Sequence, residues 1–297
     1  MTKEISCVLV TGANGFLGSK IIRSLLIAGY RVKALRRFNA SMTRVLDFID
    51  DVEWFIIDDN SDENFLGFFK GVDCVVHTAA NYGRNGESLV DIAKANTLFG
   101  LSMLNAALEN NVKTFINTDS ALPKDSKPYT LSKAHFAEWG KHFSNQQKIR
   151  FLNIRLEHMY GPGDDSRKFT NYVIDSCLSN ISFLNLTEGI QERDFIYIDD
   201  VVSAYILLID ESVSMPLFSD EIPLGSGSTI TIRALVELIH KMTNSQTNLI
   251  FGKIKLDANE VMHSCADVSY LKGLGWRPQI MLNSGLQLTI DSIRKAS

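Results

Sequence analysis

Residues 7–18 read Cys7-Val-Leu-Val-Thr11-Gly12-Ala-Asn-Gly15-Phe-Leu-Gly18, an apolar strand that runs straight into three glycines spaced three residues apart. Each glycine meets a separate physical need. Gly12 permits the tight turn out of the strand, Gly15 lets a diphosphate approach the backbone, and Gly18 lets the following helix pack closely on the strand. The stretch therefore predicts a phosphate-binding turn.

The context of this turn supports that interpretation. A helix is predicted over 19–28 and a second strand over 31–35. The start of the helix offers unpaired N–H groups and the positive end of its dipole to phosphates. Strand, glycine turn, helix and strand in this order favour dinucleotide binding over an ordinary structural turn.

Strands and helices alternate through the first half of the chain. We predict strands at 7–10, 31–35, 53–57, 74–77, 114–117 and 151–155, and helices over 19–28, 89–110 and 129–143. Continuous apolar strands separated by helices imply a parallel sheet covered on both faces, an α/β doubly wound (Rossmann) fold. Ligands of such sheets bind beyond the carboxyl ends of the strands, so the residues after each strand are the candidates for function.

The alternation breaks down after Tyr160-Gly-Pro-Gly163. A short strand at 195–198 leads to a helix over 201–209, and further helices are predicted over 232–242 and near 282–290. We predict a dinucleotide-binding domain formed by residues 1–163 and 192–224. Residues 164–191 and 225–297 are predicted to form a smaller, discontinuous α/β domain that binds the substrate.

Composition excludes several classes of protein. The chain has 297 residues, 45% of them hydrophobic, and a net charge of −4 without a basic tract, so we expect neither nucleic acid nor an anionic membrane as partner. No apolar run approaches the ~18 residues of a spanning helix, and residues 1–6 are too polar for a signal peptide. Four scattered cysteines and isolated histidines lack metal-ligand spacing. We expect a cytoplasmic protein without a metal site.

Tyr129 and Lys133 are four residues apart at the start of a predicted helix, so their side chains lie on one face. A tyrosine has an ordinary pKa near ~10, and a nearby ammonium group is expected to lower that pKa. The pair is then able to exchange a proton with a sugar or alcohol oxygen. The same spacing also occurs on exposed helices without any chemical role.

A candidate hydroxyl lies after the strand at 114–117, where the chain reads Thr118-Asp119-Ser120. A hydroxyl at this edge of the sheet can donate a hydrogen bond to a substrate carbonyl, or it can simply form part of a turn. We prefer Ser120, although spacing alone leaves Thr118 open.

The end of the second strand bears on the choice of cofactor. An acidic residue there would bind the ribose hydroxyls and exclude a 2′-phosphate. This chain instead has Arg36 and Arg37 after Leu35 and no acid until Asp47. Two cations favour NADP(H) over NAD(H), and a surface role for one of them stays open.

Together these motifs resemble the extended short-chain dehydrogenase/reductase family, in particular its nucleotide-sugar epimerase/dehydratase group. The likeness covers nearly the whole chain. It is carried by the glycine turn and by His77-Thr-Ala-Ala80, Ala95-Asn-Thr-Leu-Phe-Gly100, Tyr129-Thr-Leu-Ser-Lys133, the segment from Arg155 to Gly163, and Arg193-Asp-Phe-Ile-Tyr-Ile-Asp-Asp200.

The resemblance implies a role for each matching position. Tyr129 would be the proton donor. Lys133 would set the pKa of this tyrosine and would also bind the nicotinamide ribose. The expected cofactor contacts are Gly12, Asn14, Gly15, Phe16, Leu17, Gly18, Arg36, Arg37, Asp58, Asp59, Thr78, Ala79, Ala80, Asn96, Thr118, Tyr129, Lys133, Leu156 and His158. The expected substrate contacts are Tyr82, Ser120 and Arg193, with the arginine on the diphosphate of a sugar nucleotide.

The resemblance also bears on the reaction. Dehydratases of the family carry Thr-Asp-Glu where this chain has Thr118-Asp119-Ser120, so the carboxylate that abstracts a proton is missing. Epimerases of the family keep NAD bound, which Arg36 and Arg37 do not favour. What remains is an NADPH-dependent reductase of the 4-keto group of a nucleotide-linked 6-deoxy or 3,6-dideoxy sugar.

Segments 117–124, 154–165 and 191–200 most resemble family reductases that act on CDP-linked 3,6-dideoxy sugars for bacterial O-antigen. The expected substrate is therefore a CDP-linked 4-keto deoxysugar, with the dTDP- and GDP-linked sugars as alternatives. A homodimer is expected by analogy with the family. Two other functions stay open: an NAD-retaining nucleotide-sugar 4-epimerase and a non-catalytic dinucleotide-binding scaffold.

Overall fold

The computed structural model describes residues 5–57, 67–215 and 220–296. Its strands are β1 Cys7–Thr11, β2 Arg31–Arg37, β3 Glu53–Ile57, β4 Cys74–His77, β5 Thr114–Ser120, β6 Arg150–Leu156, β7 His158–Tyr160, β8 Phe183–Asn185, β9 Glu192–Tyr197, β10 Asp220–Leu224, β11 Thr229–Thr231, β12 Asn248–Ile250 and β13 His263–Ser264. Its α-helices are α1 Phe16–Ile27, α2 Leu89–Ala93, α3 Phe99–Glu109, α4 Pro128–Asn145, α5 Phe169–Leu178, α6 Ile198–Glu211, α7 Ile232–Thr243, α8 Ser269–Gly273 and α9 Leu282–Ala296. A π turn, Lys94–Leu98, joins α2 to α3.

Seven strands form one sheet in the order β10-β6-β5-β4-β1-β2-β3. The pairs around β1 are parallel, with Thr11 opposite His77 and His77 opposite Asn117. The strand order reverses direction between β1 and β4, which is the switch point of a doubly wound fold. The predicted fold class is confirmed.

Apolar packing fixes helix α4 against this sheet. All of β1 and β4 is buried, as expected for parallel strands covered on both faces. Phe151 of β6 stacks on Phe115 of β5, with ring centroids 5.6 Å apart. Gly140 of α4 lies directly against this pair, since a Cβ there would overlap the ring of Phe151. This close approach holds the C-terminal half of α4 against the sheet.

The chain divides into two units. The first is Met1–Arg155 with Val202–Ile222, and the second is Leu156–Val201 with Pro223–Ser297. In the second unit, β9 pairs with β11, β13 and β7, and β8 pairs with β12. The segments 156–163 and 192–201, predicted to belong to the dinucleotide-binding domain, fall in this second unit, because β9 pairs with β11 and β13 and β7 pairs with β9.

Element bounds differ from the predicted ones at three points that bear on the candidate site. Strand β5 extends to Ser120, so the Thr118-Asp119-Ser120 motif lies inside it. Strand β2 extends to Arg37, so both arginines lie inside it. The single helix predicted over 89–110 is interrupted by the π turn. Over the described ranges, no helix is both long and apolar enough to cross a bilayer.

Candidate active site

The glycine turn joins β1 to α1. Gly12 has a φ of +65°, and a Cβ there would lie 2.7 Å from the backbone nitrogen of Ala79 and from Thr78 Oγ1. The Gly15 N–H donates to the Gly12 carbonyl over 2.9 Å. A Cβ at Gly18 would overlap that same carbonyl oxygen. The turn is therefore a backbone cradle that only glycine can form at these positions.

Residues beside the glycine turn connect it to neighbouring parts of the fold. Asn14 Nδ2 donates to the Ser41 carbonyl over 3.0 Å, which links the turn to the loop after β2. Phe16 is the first residue of α1, and Leu17 is buried behind it.

Hydrogen bonds also join the carboxyl ends of the neighbouring strands β1 and β4. Thr78 Oγ1 donates to the Thr11 carbonyl over 2.7 Å, and the Ala79 N–H donates to Thr11 Oγ1 over 3.3 Å. Ala80 follows and is half-buried. Burial, and then the nearby charge of Lys133, lowers the pKa of His77 to about 3, so this imidazole is neutral.

Arg36 and Arg37 are the last two residues of β2, opposite Ile56 and Ile57 of β3. The prediction that they follow the strand is wrong by two residues, because the pairing with β3 continues through them. Arg36 donates to the Phe38 carbonyl over 3.2 Å, and Arg37 is exposed. Successive side chains of a strand point to opposite faces, so the two cations diverge. Asp58 and Asp59 lie outside the described residues.

Tyr129 and Lys133 come together in the first turns of α4. The Lys133 Nζ atom lies 5.8 Å from the ring centroid of Tyr129. Tyr82 stacks on Tyr129 with centroids 4.8 Å apart, and the Arg84 guanidinium lies 4.8 Å from the Tyr82 centroid. The structure thus brings predicted residues from a loop and a helix into one cluster.

The electrostatics of this cluster correct one expectation. Desolvation raises the pKa of Tyr129 well above its ordinary value, and Tyr82 and Asp119 raise it further. The net shift of the Tyr129 pKa is therefore upward, against the predicted lowering, because burial outweighs the lowering effect of the Arg84 guanidinium. Burial lowers the pKa of Lys133 to about 8, against an opposing effect of Asp119. The phenol is thus a protonated acid beside a lysine that loses its charge readily.

The two candidate hydroxyls, Thr118 and Ser120, lie inside β5, which continues to Ser120, and not after the strand as predicted; they have different partners. Thr118 Oγ1 is hydrogen-bonded to the Tyr205 hydroxyl at 2.7 Å. Ser120 Oγ accepts from the Leu122 N–H over 3.2 Å, which leaves its proton for another acceptor. These contacts favour Ser120 as the hydroxyl that meets a substrate.

Asn96 is buried in the π turn. Its Oδ1 accepts from the Asn81 N–H over 2.7 Å, and its Nδ2 donates to the Asn81 carbonyl and to Ser132 Oγ, each over 2.9 Å. The side chain ties the loop after β4 to helix α4. Both polar atoms of the Asn96 side chain are therefore engaged in joining these two elements.

Three predicted residues lie in the second unit. Arg193 of β9 is buried, donates to the Glu192 carbonyl over 2.8 Å and forms an ion pair with Glu260. Leu156 is buried, and His158 Nδ1 lies 3.5 Å from Glu157 Oε2.

Sequence reasoning missed Asn117 and Asn153, which lie in β5 and β6 and join Asp119 through hydrogen bonds. An amide flanked by apolar residues in each strand, after Ile116 and between Leu152 and Ile154, was the available signal. Among the described residues, no group of three His, Cys, Asp or Glu side chains is placed to hold a metal ion.

This architecture defines a doubly wound α/β protein with a Tyr–Lys pair near the carboxyl edge of its sheet. The model of the NAD dependent epimerase/dehydratase family matches residues 8–217. The chain belongs to that family.

Two relatives are CDP-abequose synthases. The enzyme of Salmonella typhimurium is 32% identical over 94% of this chain and 96% of its own length. That of Salmonella muenchen is 33% identical over 94% and 95%. A solved structure of UDP-glucuronic acid 4-epimerase from Bacillus cereus, in complex with UDP-glucuronic acid and NAD, has a TM-score of 0.86 and 21% identity, covering 98% of this chain and 100% of that one. The last likeness shows the shared fold.

Proposed function

We propose that this protein reduces the 4-keto group of a nucleotide-linked 6-deoxy or 3,6-dideoxy sugar with NADPH, in the cytoplasm. The favoured reaction is CDP-4-keto-3,6-dideoxyglucose to CDP-abequose or a similar product, for bacterial O-antigen. The observation that carries this proposal is the likeness to two CDP-abequose synthases over 94% of the chain. The contacts within the first unit support it independently.

The glycine turn fits a nicotinamide dinucleotide. A Cβ at Gly12 or Gly18 would fill backbone space at the turn, and α1 is capped by Gly15, which has no side chain to cover the helix N-terminus. Gly12, Asn14, Gly15 and Gly18 would hold the diphosphate, and one of the two arginines of β2 would hold a 2′-phosphate. When bound, the dinucleotide supplies the hydride.

The proton comes from the protein. Ser120 donates a hydrogen bond to the carbonyl oxygen, and Tyr129 gives up its proton as negative charge develops on that oxygen. A raised pKa suits this direction, because a proton donor must be protonated before the reaction. Lys133 stabilises the phenolate that is left. Arg193 is proposed to bind the diphosphate of the nucleotide sugar through its forked donors, which requires the guanidinium to leave its ion pair with Glu260.

Two observations bear on the competing reactions. Asp119 has its carboxylate engaged by the Ser120 N–H and by Asn153 Nδ2, and no carboxylate stands at position 120, so the groups for eliminating water are not in place. The likeness to a 4-epimerase structure with NAD keeps an NAD-retaining 4-epimerase as the second candidate.

Loss of NADPH absorbance with CDP-4-keto-3,6-dideoxyglucose tests the proposal, with the dTDP- and GDP-linked 4-keto sugars and NADH measured in parallel. Rapid oxidation with the CDP sugar supports it. No oxidation with any sugar, together with NAD released from the denatured protein, would favour the epimerase. Neither turnover nor retained NAD would favour a non-catalytic scaffold.

We also propose a homodimer through α2, α3 and α4. Leu89, Leu98, Leu131 and Trp139 are large apolar side chains exposed on these helices and the π turn between them. Analytical ultracentrifugation of wild type and Trp139→Lys tests this: the wild type sediments as a dimer and the variant as a monomer. A monomeric wild type would refute the dimer.

A further inference from the structure

Two buried asparagines connect a carboxylate to the backbone of the candidate active site. Asn117 Nδ2 donates to Asn153 Oδ1 over 2.7 Å, and Asn153 Nδ2 donates to Asp119 Oδ2 over 3.0 Å. Asp119 Oδ1 in turn accepts from the Ser120 N–H over 2.8 Å. The three side chains are 0%, 2% and 6% exposed, so this chain of hydrogen bonds is buried throughout.

The Asp119 carboxylate sets the donor-to-acceptor direction of every hydrogen bond in this series. An ionised carboxylate only accepts hydrogen bonds, so Asn153 must turn its NH₂ group toward Asp119 and its oxygen toward the NH₂ group of Asn117. The Asn117 Oδ1 atom is buried and has no hydrogen-bond partner among the described residues. A buried polar atom without a hydrogen-bond partner costs free energy. The presence of these two amides inside β5 and β6 therefore calls for a functional explanation.

The residues near the Asp119 carboxylate suggest what these two amides do. The negative charge of Asp119 raises the pKa of Tyr129 and that of Lys133. For the lysine it therefore opposes the lowering of the pKa by burial. The other titratable and charged groups with an electrostatic effect in this cluster are His77, Tyr82, Arg84 and Tyr205. Asp119 is the one carboxylate among these groups.

We propose that Asn117, Asn153 and Asp119 form a positioning device for the reaction: they hold a fixed counter-charge for Lys133 and fix the backbone that carries the Ser120 hydroxyl. The inference rests on the proposed function of Ser120, Tyr129 and Lys133. Asp119 acts through these residues and transfers no proton itself.

The variant Asp119→Asn removes the charge with little change in shape. The new amide oxygen can still accept from the Ser120 N–H. Its NH₂ group faces Asn153, which must then reverse its own amide and donate to Asn117 Oδ1. That atom is the unpartnered one, so the chain of hydrogen bonds can reverse as a whole.

A matched control is Asp73→Asn. Asp73 also accepts from backbone N–H groups, those of Ser6 and Cys7, but it precedes β4 and so lies at the opposite end of the sheet from Asp119. This substitution removes one carboxylate with comparable bonding and leaves the cluster untouched.

The first measurement is the titration of Lys133 by NMR of the full chain labelled with 13C-lysine, with the signal assigned by its absence in Lys133→Met. We expect Asp119→Asn to move this titration to lower pH by about 1 unit, and Asp73→Asn to leave it in place. The alkaline limb of kcat should shift in the same direction. An unmoved Lys133 titration in folded Asp119→Asn would overturn the counter-charge.

A second variant separates position from charge and also serves if Asp119→Asn does not fold. Asn153→Leu keeps the carboxylate but removes its donor, so we expect kcat to fall about tenfold with the KM for NADPH unchanged. An unchanged kcat would overturn the positioning role. Since the lysine titration needs no turnover, it tests the inference even if no sugar is reduced and the proposed function fails.

Discussion

The ring of Tyr129 is stacked on the ring of Tyr82, with centroids 4.8 Å apart and an angle of 29° between the planes. Aromatic pairs in offset stacks contribute about 0.5–1.5 kcal/mol beyond their buried area. The stack therefore helps to hold the proposed proton donor in place, and the ring is retained when tyrosine becomes phenylalanine.

Tyr129→Phe should separate chemistry from structure. We expect kcat to fall by about 10²- to 10⁴-fold, because the donated proton is lost while the stack on Tyr82 remains. The KM for NADPH and the melting temperature should change little. Steady-state kinetics and thermal unfolding measure these quantities. Tyr82→Phe is the control, with a loss of kcat below about tenfold, and a Tyr129→Phe enzyme that keeps half its kcat would contradict the assignment.

Lys133→Met should stabilise the protein at neutral pH. Burial lowers the pKa of Lys133 from 10.5 to about 8, so between these values the unfolded chain binds the extra proton and wild-type stability rises with pH. Below about pH 8 the buried charge costs about 3 kcal/mol. We expect Lys133→Met to increase the free energy of unfolding by about this amount at pH 7, and the gain to vanish near pH 10.5.

Urea unfolding at a series of pH values measures this gain. Lys141→Met is the control on the same helix, because Lys141 is exposed and its replacement should change stability by less than about 0.5 kcal/mol. A gain at Lys133 that does not depend on pH would show that packing, and not the charge, is responsible.

The first strand, turn and helix could be predicted because each depends on local chemistry. An apolar strand and glycines at fixed spacing leave few conformations, and the structure has the turn at Gly12 with positive φ. The parallel, doubly wound sheet could be predicted from the alternation of strands and helices, since buried parallel strands need helices on both faces.

Features that depend on contacts between distant segments could not be predicted. The π turn at Lys94–Leu98 holds Asn96, whose partners Asn81 and Ser132 lie on other elements. The direction of the Tyr129 pKa shift depends on burial and on Asp119, which periodicity cannot show. The roles of the site residues stay predictions until variants are measured.

Arg36 and Arg37 should have unequal effects on cofactor choice. Their side chains leave β2 on opposite faces, so only one can reach a 2′-phosphate. We expect one of the variants Arg36→Ala and Arg37→Ala to raise the KM for NADPH about 10- to 100-fold while the KM for NADH stays within about twofold, since that arginine makes a charge-assisted contact. The other variant serves as its control. Equal, small effects of both would refute NADP selection by this strand.

Gly18→Ala should destabilise the protein although alanine is the better helix former. Alanine gains about 1 kcal/mol over glycine within a helix, but a Cβ at Gly18 overlaps the backbone carbonyl of Gly12, and overpacking of this kind costs about 1–3 kcal/mol. The turn must shift, so the KM for NADPH should rise as the melting temperature falls. Gly273→Ala in α8 is the matched control: a Cβ there meets no atom within 4 Å, so its melting temperature should stay the same or rise. Equal melting temperatures for Gly18→Ala and wild type would show that the turn relaxes without cost.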